Sequence, residues 1–539
     1  MTTQATTAHP PAPQAGRDGF AQLVRAEWTK LRTVRGWVIG LVVAALVMAG
    51  IGLLTAVGGS SSCQSVGGGP ARSGRACGPT LTVGPGGEPV TDSFYFLRQP
   101  LTGNGSITVR VTSLTGRIPP ANGDVPLSPN ASPDTRPGLV PWAKSGLIIK
   151  ESTQPGSAYA AIMVTADHGV RLQDNYTSDT AGQPGAVSAA SPRWLRLTRS
   201  GNTITGYDSA DGSRWTQVGA VHLAGLSSTV QAGLFTASPD DNVVSQSFGG
   251  TSSSGGPSQA TAVFDRVSRS GGWPGSTWTG GYIGASSGSG IGIGGYHQAG
   301  GQFRVTGSGD IAPVIAGHGN EADSPTTISN YLLGTFAGLI AVIVVATMFI
   351  TAEYRRGLIR TTLAASPRRG RVLAAKAIVI GSVTFVAGLA AASAAVIFGT
   401  QLARDRSYVF PVSWLTELRA VTGTAALLAV AAVLALALGT VLRRSAVAVT
   451  IVIVAIVLPY ILGVASVLPL SASDWLLRVT PAAAFAVQQA APQYPQVTAL
   501  YSPGSGYFPL APWAGLAVLC GYAALALSLA VVLLRRRDA

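Results

Sequence analysis

Ionisable and sulfur-bearing side chains are scarce in this chain. Only 11% of its 539 residues are Asp, Glu, Lys or Arg, and it has three cysteines and four methionines. So low a charge content, beside 67 glycines and a 47% apolar share, excludes one ordinary water-soluble globule and points to regions that face different solvents. Short chemical motifs are missing as well. No Gly-x-x-x-x-Gly-Lys-Ser/Thr occurs, and the glycine-rich run at 285–295 has no lysine, so the chain lacks that loop for cradling a nucleotide phosphate. No His-Glu-x-x-His or Cys-x-x-Cys occurs, which removes the familiar zinc and dithiol patterns. Residues 58–330 hold three widely separated glutamates, Glu88, Glu151 and Glu321, so the paired carboxylates of a glycosidase are not visible as a local motif.

What charge there is has a pattern. The net charge of +14 would suggest a nucleic-acid partner if it were spread over a globule, but residues 58–330 contain 16 basic and 16 acidic side chains. The excess lies in 1–36, 352–376, 443–445 and 535–539, which together hold 17 basic and four acidic residues. Those segments flank long apolar runs, so the excess is the positive-inside signature of a membrane protein, and no nucleic acid is implied.

Six such runs are long enough for a hydrocarbon core of ~30 Å: 37–57, 331–351, 377–401, 421–442, 446–468 and 513–534. None carries Asp, Glu, Lys or Arg within those limits. Because charges at mid-membrane are costly and kept for function, the chain shows no proton relay or gating-charge array, and uphill transport would need energy from another chain. With six spans both termini face the cytoplasm, as befits a multi-pass plasma-membrane protein. Residues 1–16 read as a disordered tail. Residues 17–36 read as an amphipathic helix on the inner leaflet, with Phe20, Leu23, Val24, Trp28 and Leu31 on one face and Arg25, Glu27, Lys30 and Arg32 on the other, the cations placed for membrane lipid. The segment 352–376, with seven basic residues and one acid, is the cytoplasmic loop of most interest, and 535–539 is a cytoplasmic tail. Residues 469–512 are too short in their apolar part to cross, so they lie at the outer interface or re-enter. Tyr408, Phe410, Trp414, Trp475, Tyr507 and Trp513 suit an outer aromatic belt.

Between the first two spans, 58–330 reads as a large extracellular antiparallel β-sandwich. Expected strands are 106–112, 145–151, 158–165, 169–175, 194–199, 203–208, 215–221, 229–236 and 260–267, with edges at 302–305 and 311–315. Ser200-Gly201-Asn202 and Asp211-Gly212-Ser213 supply turns, and the Gly/Ser-rich stretches 249–257 and 271–301 read as loops or irregular strands. Cys63 and Cys77 lie on the outer side, where a disulfide persists, with two free thiols as the alternative; Cys520 falls in an apolar run. Asp208 with Asp211, and Asp240-Asp241-Asn242, offer oxygen ligands for calcium, and turn chemistry explains them equally well, so no metal site is assigned.

Two resemblances follow. Glu27-Trp28-Thr29-Lys30-Leu31-Arg32 before the first span, Thr351-Ala352-Glu353-Tyr354-Arg355-Arg356-Gly357 and Leu363-Ala364-Ala365-Ser366-Pro367-Arg368-Arg369 with Lys376, and Thr480-Pro481 before the last span resemble the membrane subunits of type 2 ABC transporters. The resemblance covers 17–57 and 325–539 and departs in the large insert. It implies a permease subunit, homo- or heterodimeric, whose coupling loop docks a separate ABC ATPase subunit. ATP and Mg would sit on that partner, with no cofactor on this chain and no catalysis by it. Glu353, Tyr354, Arg355, Arg356, Arg360, Thr361 and Leu363 would contact the partner, and Arg25, Trp28, Lys30 and Arg32 belong to the inner-leaflet helix; for each arginine, anchoring to anionic lipid is the alternative. Within the insert, Trp142 to Glu151, Ala158-Tyr159-Ala160-Ala161, Trp194-Leu195-Arg196-Leu197 and Asp208 to Trp215 resemble the laminin-G/concanavalin-type lectin sandwich. That implies a glycan contact at Trp142, Trp194 and Trp215, with sandwich core as the alternative for each. The expectation is ATP-driven export of a lipid, peptide, drug or envelope component with recognition outside the cell; the rival is a membrane-anchored lectin or sensor that transports nothing.

Overall fold

A computed structural model describes residues 19–58, 81–119, 135–247, 250–284, 294–315, 326–358, 368–404, 408–465, 467–499 and 501–537. Cys63, Cys77, Arg360, Thr361, Leu363 and the tail 1–16 lie outside the described residues.

The helices are α1 (Phe20–Thr33), α2 (Arg35–Gly58), α3 (Ile328–Tyr331), α4 (Thr335–Arg355), α5 (Arg369–Arg404), α6 (Trp414–Leu442), α7 (Ser445–Val464), α8 (Leu470–Val479) and α9 (Pro512–Arg537). Among the described residues six helical stretches are long and apolar enough to cross a membrane, those of α2, α3 with α4, α5, α6, α7 and α9. Burial ranks them: 61% of the apolar window is buried in α4 and in α6, against 22% in α2 and in α9, so α4 and α6 form the centre of the bundle. Small residues let backbones approach there. A Cβ on Gly52 of α2 would stand 2.2 Å from the Tyr331 carbonyl oxygen, and one on Gly515 of α9 would stand 2.1 Å from that of Ala483.

The stretch between α7 and α9 enters the bundle. After α8 the chain forms a 3-10 helix, Pro481–Gln488, and all eight of its residues are buried. It packs against α6, α7 and α9. Its last residue fixes it: Gln488 Nε2 donates to Thr335 Oγ1 at 2.9 Å and to Thr424 Oγ1 at 3.2 Å. Two buried hydroxyls thus satisfy an amide that would otherwise be costly in an apolar bundle. Of the expected aromatic belt, Trp414, Trp475 and Trp513 are exposed, whereas Phe410 and Tyr507 are buried.

Between α2 and α3 the chain forms strands. They are β1 (Val90–Asp92), β2 (Phe94–Thr102), β3 (Gly105–Ile118), β4 (Arg136–Pro137), β5 (Lys144–Lys150), β6 (Tyr159–Thr165), β7 (Val170–Asp174) and β8 (Ser178–Ala181). There follow β9 (Arg193–Ser200), β10 (Thr203–Ser209), β11 (Thr216–His222), β12 (Thr229–Ala237), β13 (Asp241–Ser247), β14 (Gly250–Gly256) and β15 (Gln259–Gly271). The last are β16 (Thr279–Ile283), β17 (Gly295–Ala299), β18 (Gln302–Gly307) and β19 (Ile311–Pro313). One sheet runs β11-β10-β9-β3-β15-β18-β17 with β4 on β3, and the other runs β16-β2-β12-β5-β6-β7-β8. Leu97, Ile107, Val109, Leu147, Ile162, Leu195 and Leu234 are among the residues that fill the core they share. β1 pairs with β19, so the ends of the β-rich region meet. The expected turns are present, with Gly201 at φ +61 and Gly212 at φ +77, a backbone region that glycine enters without penalty. The stretches read as loops or irregular strands carry β14, which pairs with the preceding β13, and the strands β16 and β17.

A buried pair stiffens this region. Lys150 Nζ lies 2.8 Å from Asp92 Oδ2, and the Tyr176 hydroxyl and the Gly156 N–H donate to the same oxygen, each at 2.8 Å. Burial pulls the Lys150 amine below its ordinary value, and the Asp92 carboxylate restores part of the loss.

Candidate functional site

Four charged side chains from three helices meet at the end of the bundle nearest the 352–376 segment. Glu27 and Lys30, one turn apart on α1, pair at 2.8 Å. Glu353 stands in the last turn of α4 and Lys376 in the second turn of α5. Lys376 Nζ reaches Glu27 Oε2 at 2.6 Å and Glu353 Oε1 at 2.7 Å, and Lys30 Nζ reaches Glu353 Oε1 at 3.2 Å. Two ammonium groups and two carboxylates close a ring whose charges cancel. Lys376, Glu27 and Glu353 are buried, at 1%, 3% and 6% exposure, so the ring is an internal fastening. Buried ions are tolerated when each has its partner.

The neighbours hold the ring in place. Lys376 Nζ lies 5.0 Å from the centre of the Phe349 ring, and Trp37 meets Phe349 edge-on at 5.1 Å. The Arg443 guanidinium, just after α6, lies 5.2 Å from the Tyr354 ring. Arg369 Nη1 donates to the Leu534 carbonyl at 2.8 Å, joining α5 to α9. Lys30, on α1, is half-buried; desolvation pulls its amine down, but the Glu27 and Glu353 carboxylates outweigh that and raise it.

Sequence reasoning places Glu353 among residues that touch a partner; its carboxylate instead serves the ring, with Oε1 taken by two lysines and Oε2 buried without a hydrogen bond among the described residues. Tyr354 is half-buried, and Arg355 and Arg356 are exposed. On α1, Arg25, Trp28 and Arg32 are exposed together while Glu27 and Leu31 are buried. This corrects the expected faces: Glu27 points into the protein and Trp28 out of it. Glu27 and Lys376 were not singled out as site residues. Their signal was an acid within an apolar stripe, Val24–Glu27–Leu31, and a lysine at the mouth of an apolar run.

The three tryptophans of the sandwich do not form one platform. Trp142 is 4% exposed and stacks on His168 at 3.9 Å, so it is a core residue and no glycan contact. Trp194 and Trp215 are half-buried, Trp194 beside Arg110 at 5.7 Å and Trp215 under Arg196 at 3.9 Å. In the acidic clusters, Asp211 builds its turn, its Oδ1 accepting from the N–H groups of Ser213 and Arg214, both at 2.8 Å, while Asp208, within β10, accepts through Oδ2 from the distant N–H of Gln183 at 2.9 Å. Among the described residues no three His, Cys, Asp or Glu side chains gather as metal ligands would.

Six apolar helices, an amphipathic N-terminal helix bound to two of them, and a β-rich region between the first two define a multi-pass membrane protein. The family model described as ABC-2 family transporter protein matches residues 160–539, and the chain belongs to that family. It is a membrane subunit for transport. The match leaves out α1 and α2, although both pack on helices inside it. A comparison with curated proteins returns no match. Among solved structures, the chain is similar to a functionally unknown protein from Saccharomyces cerevisiae, at 16% identity and a TM-score of 0.20 over 33% of this chain and 74% of that one. It is also similar to a mutant of the GH43 protein BlXynB from Bacillus licheniformis, at 15% identity and a TM-score of 0.16 over 25% and 24%. A third is scytalido-glutamic peptidase with a transition state analog inhibitor, at 6% identity and a TM-score of 0.25 over 42% and 100%. These likenesses are too partial to carry a function.

Proposed function

We propose that this chain is the permease subunit of an ABC exporter, driven by ATP hydrolysis on a separate ATPase subunit that binds the 352–376 segment from the cytoplasm. The carrying observation is the ring of Glu27, Lys30, Glu353 and Lys376. It ties both ends of that segment, and α1 as well, into one body. A push on the segment then moves α1, α4 and α5 together rather than bending a loose loop. Arg355 and Arg356, exposed just beyond the ring, are the contacts offered to the partner, and Arg360, Thr361 and Leu363, which follow them in the sequence, are assigned to the same partner. Arg25, Trp28 and Arg32 face inner-leaflet lipid. The second permease subunit is another copy or a related chain. The sandwich stands outside the cell and recognises substrate or envelope glycan. Family membership favours this reading over a lectin or sensor without transport.

The test is co-purification of the ATPase with the double variant Arg355→Glu, Arg356→Glu. Recovery is expected to fall roughly tenfold, as for the loss of charge-assisted contacts at an interface, with the variant's thermal melting unchanged. Undiminished recovery and transport, or a tag at residue 365 reachable from outside intact cells, overturns the docking assignment.

A further inference from the structure

The two large sheets are covered differently. β5 and β6 are buried at every position, because Val90 of β1 and Ile311 of β19, with Tyr176, close the side turned away from the shared core. In β9 and β3 burial alternates: Leu195, Leu197, Ile107 and Val109 point inward, and Trp194, Arg196 and Arg110 lie on the other face. The contacts with the helical body fall on the covered side, where Gln496 Nε2 donates to the Tyr176 and Thr177 carbonyls at 3.3 and 3.2 Å and the Tyr408 hydroxyl donates to the Gly87 carbonyl. The open face of the eight-stranded sheet is therefore turned away from the helices and from their bilayer.

That open face carries arginine and aromatic rings. Register sets Trp194 opposite Arg110, Arg110 opposite Asp265, and Arg196 opposite both Thr108 and Tyr207. Arg110 grips Asp265 through two hydrogen bonds of 2.7 and 2.5 Å, so one carboxylate already lies in an arginine fork on this face. Arg266, at φ +49 in the bulge of β15, brings a second cation to 6.0 Å from the Trp194 ring. Arg196 lies on Trp215 and uses its Nε on Thr108 Oγ1 at 3.0 Å. Among the described residues neither Arg196 nor Arg266 pairs with an acid.

We propose that the open face of the eight-stranded sheet binds a carboxylate-bearing polysaccharide, with Arg196 and Arg266 taking the carboxylates. The proposal rests on the reading of the sandwich as an outward recognition domain and adds the ligand's charge. The planar forks of unpaired arginines match carboxylates. A lipid surface is disfavoured as occupant because the face points away from the bilayer.

The full-length protein in detergent is titrated by thermophoresis with polygalacturonate, neutral dextran and polyglutamate, at low and high salt. Polygalacturonate is expected to bind, to weaken with salt, and to bind about tenfold more weakly to Arg196→Ala with Arg266→Ala, a substitution of two charge-assisted contacts. Dextran and polyglutamate are expected not to bind. Dextran binding as tightly as polygalacturonate keeps the glycan reading and overturns the charge inference. Polyglutamate binding as tightly means an acidic peptide site and also overturns it. No binding by any polymer overturns both. Equal melting of the variant and the parent chain establishes that a loss is local.

Discussion

Glu88 stands in the turn before β1, at the seam between the sandwich and the helical body, and it is buried. Burial raises its carboxyl above the ordinary value of 4.5, and the backbone N–H groups of Glu88 and Gly86 offset part of that rise. The side chains close enough to feel its charge include Tyr408 and Tyr494, and burial pushes Tyr494 up to about 12, so both are neutral in acid and near neutrality. For an acid raised in the folded state, the native form holds the proton over a range where the unfolded chain has lost it. Stability is then gained as pH falls from above the raised value to 4.5, and is lost as pH rises through it. Glu88→Gln is expected to melt higher than the parent at pH 7, with the difference shrinking towards pH 4.5; a constant difference across that range removes the assignment. Individual residues were legible when local chemistry determined them, as at Gly201, Gly212 and Asp211. Glu27 was not, because its partner Lys376 lies far along the chain and a helical wheel weighs an acid as solvent-facing.

At the scale of elements, α1, α4 and α5 are joined by the charge ring, and this makes a charge swap informative. Breaking a buried pair by removing one partner costs ~3–5 kcal/mol, because the other charge is left unpaired. Lys376→Met is expected to abolish ATP-driven transport in proteoliposomes and to expose α1 to protease. Reversing all four charges, Glu27→Lys, Lys30→Glu, Glu353→Lys and Lys376→Glu, keeps opposite signs adjacent at every contact of the ring and is expected to recover a substantial part of both. If the reversed ring is as damaged as Lys376→Met, the four positions matter for something other than their mutual attraction. Helices were the legible elements, since long apolar runs admit little else. Strand β2 was not read, although it is paired on both sides, with β16 and β12. Phe94–Thr102 is a nearly continuous apolar stretch containing Pro100, and a strand buried on both sides has no alternation to announce it.

At the scale of the whole molecule, the sandwich is fastened to the helical body rather than hung from it. Tyr408, in the connection between α5 and α6, holds Gly87, and Gln496, in the segment between the buried 3-10 helix and α9, holds Tyr176 and Thr177. Tyr176 also reaches inward, its hydroxyl on Asp92 beside Lys150, so the contact with Gln496 continues into the rigid core of the sandwich. None of this was legible in the sequence, because an amide and a phenol hydroxyl directed at main-chain carbonyls leave no pattern in residue type. Each such hydrogen bond is worth about 1 kcal/mol net. Removing both fastenings with Tyr408→Phe and Gln496→Ala is therefore expected to speed hydrogen exchange of the amides at 84–90 and 174–178 by roughly tenfold, with the strands of the shared core unchanged. Two points of attachment on two different connections resist rotation where a single one would act as a pivot. Exchange that rises at both places only in the double variant supports a shared load, and exchange that rises separately with each single change means that the two contacts act independently.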